Sequence, residues 1–291
     1  MHEFSVKYLR CVACTAFLDL EIFEKTDEIH EAFLRCTKCK RKYPIISSVA
    51  FLLQDFASYF SIRAELGGLL MLKSKSKKLQ SFIRESLRKI EKVGEDTTKL
   101  ERNWGSLYQK SSKSKFYNSI KKSIRKIPRC DLALEHGCSV GNISKAMAAR
   151  NEKLFGIDKS FFAVLEAKRL DIKNADFFVS DSLAHPFGNR KFDLVVALNL
   201  LELIEPPDLL KMLSLQAGKF LILSDPYDFE RGKNSVKNKI DAKTLRSNLA
   251  QKGFKLIQNT KRPSFVPWNL RINPRLELHY KVDLIVAKKR L

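Results

Sequence analysis

Four of the six cysteines stand as two pairs, Cys11-Val-Ala-Cys14 and Cys36-Thr-Lys-Cys39, with 21 residues between the pairs. A C-x2-C turn aims two sulfurs at one position, so two such turns complete a tetrahedral four-sulfur site and pull the ends of the intervening segment together. Zinc is the expected metal, with Cys11, Cys14, Cys36 and Cys39 as ligands. Four thiolates leave no open coordination position, so the metal is structural and helps fold a segment too short for a core of its own. A disulfide framework is the weaker reading, because a reducing cytosol keeps thiols free. Between the pairs, Phe17-Leu-Asp-Leu-Glu-Ile alternates as a strand does, and Ala32-Phe-Leu-Arg leads back to the second pair as its return strand.

The chain has 291 residues, enough for one large domain beyond this ribbon, and its 44% hydrophobic content supplies a core and excludes general disorder. The longest apolar run, residues 194–204, contains Asn199 and Glu202. It falls well short of the roughly 20 residues a bilayer span needs, so no membrane-spanning helix is expected. The first residues place His2, Glu3, Lys7 and Arg10 where a secretory signal needs an unbroken apolar run, and a cytoplasmic location is expected.

The formal charge of +22 is unevenly placed. Residues 1–50 carry 8 basic and 7 acidic side chains, 51–130 carry 19 and 7, 131–225 carry 11 and 13, and 226–291 carry 16 and 5. Nearly all the excess therefore lies in two segments flanking a near-neutral centre. That asymmetry suits a polyanion partner, RNA first, through segments 56–130 and 226–291; solvated helix faces are the equal alternative. Residues 59–127 show helical spacing, for instance Leu79, Phe82, Ile83, Leu87 and Ile90 among lysines and arginines, and two or three helices are expected. Their aromatics, Phe82, Trp104, Tyr108, Phe116 and Tyr117, read as packing residues rather than base-stacking platforms.

From Asp131 short apolar strands alternate with helices, the pattern of a parallel sheet. Leu132-Ala-Leu-Glu135 ends in His136-Gly137-Cys-Ser-Val-Gly141, and a helix-like run starts at about Asn142. A strand that turns on glycines into a helix lets backbone approach a ligand closely. A second strand closes at Asp158, 21 residues after Gly137, where a carboxylate can accept both hydroxyls of a ribose. Further strands end at Asp181, Asn199 and Asp225, so five strand ends present polar groups on one side of a sheet.

This ordered set resembles the class I S-adenosylmethionine-dependent methyltransferases, from about residue 130 to 291. Glu135-x-Gly137-x-x-x-Gly141 is similar to that family's first motif, with Ser139 where a glycine is usual. The resemblance implies that Gly137 and Gly141 border the methionine portion of S-adenosylmethionine, Asp158 holds the ribose, and Asp181 with Ser182 approaches the adenine. Glu135, Cys138, Ser139, Lys159 and Asn199 complete the implied cofactor set. A nicotinamide-binding Rossmann domain is the competing reading, but Gly-Cys-Ser-Val-Gly has neither the spacing nor the composition of its fingerprint. The first 55 residues resemble the small zinc-ribbon family that includes the activator subunit of tRNA and protein methyltransferases, with Ser47-Ser-Val-Ala where members commonly have Asp-Gly-Ile-Pro.

The expected architecture is α/β: a Rossmann-like seven-stranded sheet, mostly parallel with the last strand antiparallel. A zinc-ribbon domain (1–55) and a basic helical connector (56–127) precede this methyltransferase domain (128–291). Candidate catalytic residues near the strand ends are Asn199, Glu202, Asp225 and Tyr227, a base being needed only if the acceptor must lose a proton. The unpaired Cys130 and Cys138 read as packing or loop-lining residues. After a basic stretch at 230–239, a helix is expected at 242–251, then strands at 254–257 and 276–287. The long loop between those strands carries Phe265, Trp268, Arg262, Arg271 and Arg275. Three functions fit: an RNA methyltransferase, a methyltransferase of a small molecule or protein side chain with a histidine-like acceptor, and a non-enzymatic RNA-binding protein on a degenerate fold.

Overall fold

The structure, a computed structural model, describes residues 1–230 and 236–290, so the part of the basic stretch at 231–235 lies outside the described residues. After a short 3-10 turn (Glu3–Tyr8), strands β1 (Leu18–Lys25), β2 (Ile29–Cys36), β3 (Lys42–Ile46) and β4 (Val49–Leu52) form an antiparallel meander. Ser47 and Ser48 make the β3–β4 turn with φ of 52° and 63°, the left-handed pair a two-residue hairpin requires. Helices α1 (Phe56–Phe60), α2 (Ala64–Lys73), α3 (Lys77–Arg88), α4 (Thr98–Lys110) and α5 (Lys115–Arg125) follow. They number five rather than two or three. Asp55 and Ser114 cap α1 and α5 by accepting from the amides of Ala57 and Tyr117, breaks that periodicity alone does not reveal.

The alternating half begins with β5 (Cys130–His136), α6 (Ser144–Ala148), β6 (Asn151–Asp158), α7 (Phe161–Lys168) and β7 (Ala175–Ser180). It continues through β8 (Phe192–Leu198), α8 (Pro206–Gln216) and β9 (Ala217–Asp225), then α9 (Ala242–Gln251), β10 (Phe254–Leu256), β11 (Val266–Asn273) and β12 (Leu276–Lys289). Strands β7, β6, β5, β8 and β9 lie side by side in parallel; β12 runs antiparallel to β9, and β10 pairs with β12. This is the seven-stranded sheet with an antiparallel last strand that the resemblance implies. The segment expected as a loop between the last two strands is instead mostly β11, paired with the first half of β12. Its side chains alternate, with Trp268 and Leu270 buried and Pro267, Asn269 and Arg271 exposed.

Strand β4 pairs in parallel with β7, with Ala50, Phe51 and Leu52 opposite Phe178, Val179 and Ser180. The ribbon and the parallel strands therefore make one twelve-stranded sheet, and the ribbon covers an edge that would otherwise present unpaired amides. Alternate residues feed two cores. Ala133, Phe177 and Val179 pack under α1 to α7, while Leu134, Phe178 and Val195 pack under the 3-10 turn, α8 and α9.

Candidate functional site

At the tip of the ribbon the sulfurs of Cys11, Cys14, Cys36 and Cys39 all lie within 4.8 Å of one another. The Cys39 amide donates to Cys36 Sγ at 3.3 Å, and the Tyr43 hydroxyl lies 3.1 Å from Cys11 Sγ. Four thiol donors converging on one point suit a soft or borderline ion such as zinc. Cys130 and Cys138 lie elsewhere, both buried.

The second site is a cavity of about 250 Å³ above the carboxyl ends of β5, β6 and β8. Gly137 turns the chain after β5 with φ of 62°, and a Cβ there would meet Leu200 Cδ2 at 2.8 Å. Glycine thus takes the left-handed turn and lets the Leu200 side chain close against it. Ser139 holds the same left-handed conformation, φ 47°, at the cost a side chain incurs there. Its amide donates to Asp158 Oδ2 at 2.9 Å, while the Ser160 amide donates to Oδ1 at 2.8 Å. Burial pushes the Asp158 carboxyl above its ordinary value, these amides oppose the shift, and the charge of Glu101 adds to it.

Helix α4 forms the opposite wall through one face, Glu101, Trp104, Gly105 and Tyr108. Glu101 Oε1 accepts from Arg63 Nε at 2.7 Å and from the Thr97 hydroxyl, while its buried Oε2 has no hydrogen-bond partner among the described residues. Seven residues further along the helix, about 10 Å at 1.5 Å per residue, Tyr108 stacks near Trp268 with ring centroids 5.9 Å apart. The cavity is therefore polar at one end and aromatic at the other, with Phe116, Tyr117 and Trp268 completing the aromatic end.

Of the residues expected to bind a cofactor, Glu135, Gly137, Cys138, Ser139, Asp158 and Asn199 line this cavity. Burial raises the Glu135 carboxyl to about 8, and its Oε2 accepts from the Ser144 hydroxyl. Gly141 sits outside the lining in a left-handed turn, and Ser182 is buried. Lys159 and Asp181 pair with each other at 2.7 Å in an adjoining depression that Tyr59 and Arg63 also line.

Among the candidate catalytic residues, Asn199 lines the cavity and accepts from the Ser224 hydroxyl at 2.8 Å. Glu202 is buried and does not line it. Asp225 accepts from the amides of Leu201 and Tyr227, so it holds the turn after β8. The Tyr227 hydroxyl donates to Asp283 Oδ2 at 2.8 Å, and Arg246 clamps the same carboxylate with two bonds of 2.7 and 3.0 Å. Glu101, Trp104 and Tyr108 enter the site without having been read as site residues, whereas Trp268, expected on a loop beside the acceptor, enters it from strand β11. Helical spacing of 101, 104 and 108 and the alternation around Trp268 were the available signals.

Residues 133–217 match a family model described as a methyltransferase domain. No curated protein matches the chain. Among solved structures, the chain is similar to the magnesium protoporphyrin IX methyltransferase of Synechocystis, at 20% identity over 81% of this chain and 98% of that one, TM-score 0.44. It is also similar to a chain in a complex between a methyltransferase activator of Haloferax volcanii and a methyltransferase, at 15% identity over 59% and 89%, TM-score 0.46.

Proposed function

We propose that the chain is an S-adenosylmethionine-dependent methyltransferase whose cofactor occupies the polar end of the cavity. The carrying observation is the joint presence there of the Gly137 turn and the Asp158 carboxylate, at the ends of adjacent strands β5 and β6. The residues fit a nucleoside: the Gly137 turn brings backbone to the cavity beside the Asp158 carboxylate, and the buried Glu101 Oε2 has no donor among the described residues. When bound, S-adenosylmethionine supplies a methyl group already activated by its sulfonium. Asp158 would accept ribose hydroxyls, and Lys159 and Asp181 in the neighbouring depression would flank the adenine. Asn199 orients groups between the two ends. Asp225 and Tyr227 act as positioning residues, holding the 199–204 turn and the 226–228 loop against β12.

In this reading the ribbon (1–55) carries structural zinc, the connector (56–127) roofs the cavity, and 128–291 holds the catalytic sheet in a cytoplasmic enzyme. Among the described residues no helix is long and apolar enough to cross a membrane. Calorimetric titration with S-adenosylmethionine and S-adenosylhomocysteine tests the proposal. Asp158→Ala should weaken binding about 30-fold or more, since a charged hydrogen-bond partner contributes about 2 kcal/mol or more; no binding by the intact protein overturns it.

A second reading, RNA as acceptor, is favoured by a depression where Lys115 and Lys122 of α5 meet Phe265, which is 72% exposed. Cations beside an open ring suit phosphates and a stacked base. Binding of single-stranded RNA should then fall steeply with salt. Salt-insensitive binding, or none, removes this reading.

A further inference from the structure

Trp268 is 3% exposed and lines the cavity, yet its indole Nε1 has no hydrogen-bond partner among the described residues. A buried N–H left unpaired costs about 1–3 kcal/mol, so structures ordinarily supply it an acceptor. Four aromatic rings pack against this indole. Phe116, Tyr280 and Tyr108 lie 5.0, 5.7 and 5.9 Å from Trp268, each within 38° of parallel, and cover the indole faces. Tyr117 stands nearly perpendicular to the indole at 6.3 Å, and with the faces taken by rings, the edge that carries the N–H, the positive rim of the ring, is what the indole has left to offer a ligand in the cavity.

That geometry selects among ligands. An ammonium binds ring faces and carries no lone pair, so a positive edge repels it. An anion would sit where aromatic rings predominate and where burial drives the Tyr117 phenol toward its neutral form. A neutral group that is apolar over most of its surface, with one acceptor atom for the indole, satisfies every requirement. We propose that the aromatic end is the binding site for the methyl acceptor, that the acceptor is an uncharged heteroaromatic ring, and that Trp268 Nε1 donates to a ring nitrogen or ring carbonyl. The assignment rests on the cofactor reading of the polar end. Its chemical corollary is that a second ring nitrogen, not the atom Trp268 holds, attacks with a lone pair it already has. The N–C bond forms as the methyl–sulfur bond of the sulfonium breaks, S-adenosylhomocysteine leaves neutral, and the ring cation sheds its N–H proton to water, so the aromatic end needs no ionised base.

The chain has two tryptophans, Trp104 and Trp268, and both line the cavity. Its ¹⁵N spectrum therefore shows two indole signals, and Trp104→Phe assigns the one from Trp268. The full-length zinc-loaded protein is first titrated with S-adenosylhomocysteine, then, with that ligand saturating, with 4-methylpyridine and with toluene at pH 8. These probes share a shape and differ by one ring lone pair. The expected result is at least tenfold tighter binding of 4-methylpyridine, with a downfield shift of the Trp268 indole proton. Trp268→Phe should abolish the preference.

Equal binding of the two probes, no binding of either, or a preference that persists in Trp268→Phe overturns the proposal, and the first two outcomes need no variant. A Trp268 indole shift caused by S-adenosylhomocysteine alone, with 4-methylpyridine then excluded, assigns the N–H to the cofactor and also overturns it. Failure of S-adenosylhomocysteine to bind at all is a separate result, which fells the cofactor reading. An imidazole dipeptide and the pyrimidine nucleosides, titrated in the same way, distinguish a side-chain source of the ring from a nucleic-acid source.

Discussion

The ribbon and the parallel sheet share one continuous β-sheet but are held by different forces. In the parallel half, β5 to β9 are buried on both faces, and side chains such as Phe155, Phe177 and Val195 are almost wholly removed from water. At about 25 cal/mol per Å² of apolar surface, burial on that scale is self-sufficient. At the cysteine end of the ribbon the burial is one-sided: Cys11 and Cys36 are buried beside Tyr43, Phe17 and Cys39 are exposed, and four sulfurs supply on the open side what a core supplies elsewhere. A sheet can thus be continuous in hydrogen bonds and discontinuous in what stabilises it.

Removing the metal tests this contrast most severely. Chelation of a zinc-loaded sample should release amide protection around Cys11–Cys14 and Cys36–Cys39, a loss on the order of 10 kcal/mol of metal-derived stabilisation. Strands β5, β6 and β8 should keep theirs. Hydrogen exchange is the measurement, and unchanged protection at the tip would erase the distinction.

A smaller effect belongs to the parallel half alone. Glu135 is raised from 4.5 to about 8 by burial, so it is protonated in the folded chain where the unfolded chain has lost its proton. The stabilisation this gives is complete below about pH 4.5, falls as pH rises toward 8 and is gone above it. Urea unfolding of Glu135→Gln should lose that dependence and gain on the order of 3–5 kcal/mol relative to the parent between pH 5 and 8. Parallel pH profiles for the two proteins would show that Glu135 is ionised in the fold.

The smallest effect is local. Ser139→Gly relieves a left-handed serine, so it should raise stability by about 0.5–1 kcal/mol in thermal unfolding, the glycine's extra chain entropy offsetting part of the relief. Destabilisation would mean that the Ser139 side chain, and not its amide to Asp158 alone, holds the loop.

Legibility in the sequence follows the same division. The strand ends at Glu135, Asp158 and Asn199 were readable because a parallel sheet aligns the carboxyl ends of its strands, so local pattern and site position coincide. The roof of the site was not. Glu101, Trp104 and Tyr108 look like any amphipathic helix, and only the packing of α4 across the sheet decides that this face meets a cavity. Trp268 was legible as an acceptor-side aromatic but not as a strand residue, since Pro267 and the polar residues around it suggested a loop. Pro267 stands on β11, which pairs with β12 alone, an edge position where a sheet tolerates proline. Of the breaks that divide 56–127 into five helices, the one before α5 rests on the Ser114 side chain, while the N-cap residues of α2, α3 and α4 make no side-chain cap. The pairing of β4 with β7 has no local signature.

That pairing sets the order in which the molecule can be assembled. Phe51 meets Val179 across 128 residues of chain, so this contact forms late and carries a large loop-closure term. During synthesis the meander of β1 to β4 emerges long before β7 exists, and it waits with Val49–Leu52 as an open, wholly apolar margin. The residue run that completes the mature sheet is therefore an adhesive margin in the nascent chain, and lysine-rich helices are the next segments to emerge beside it.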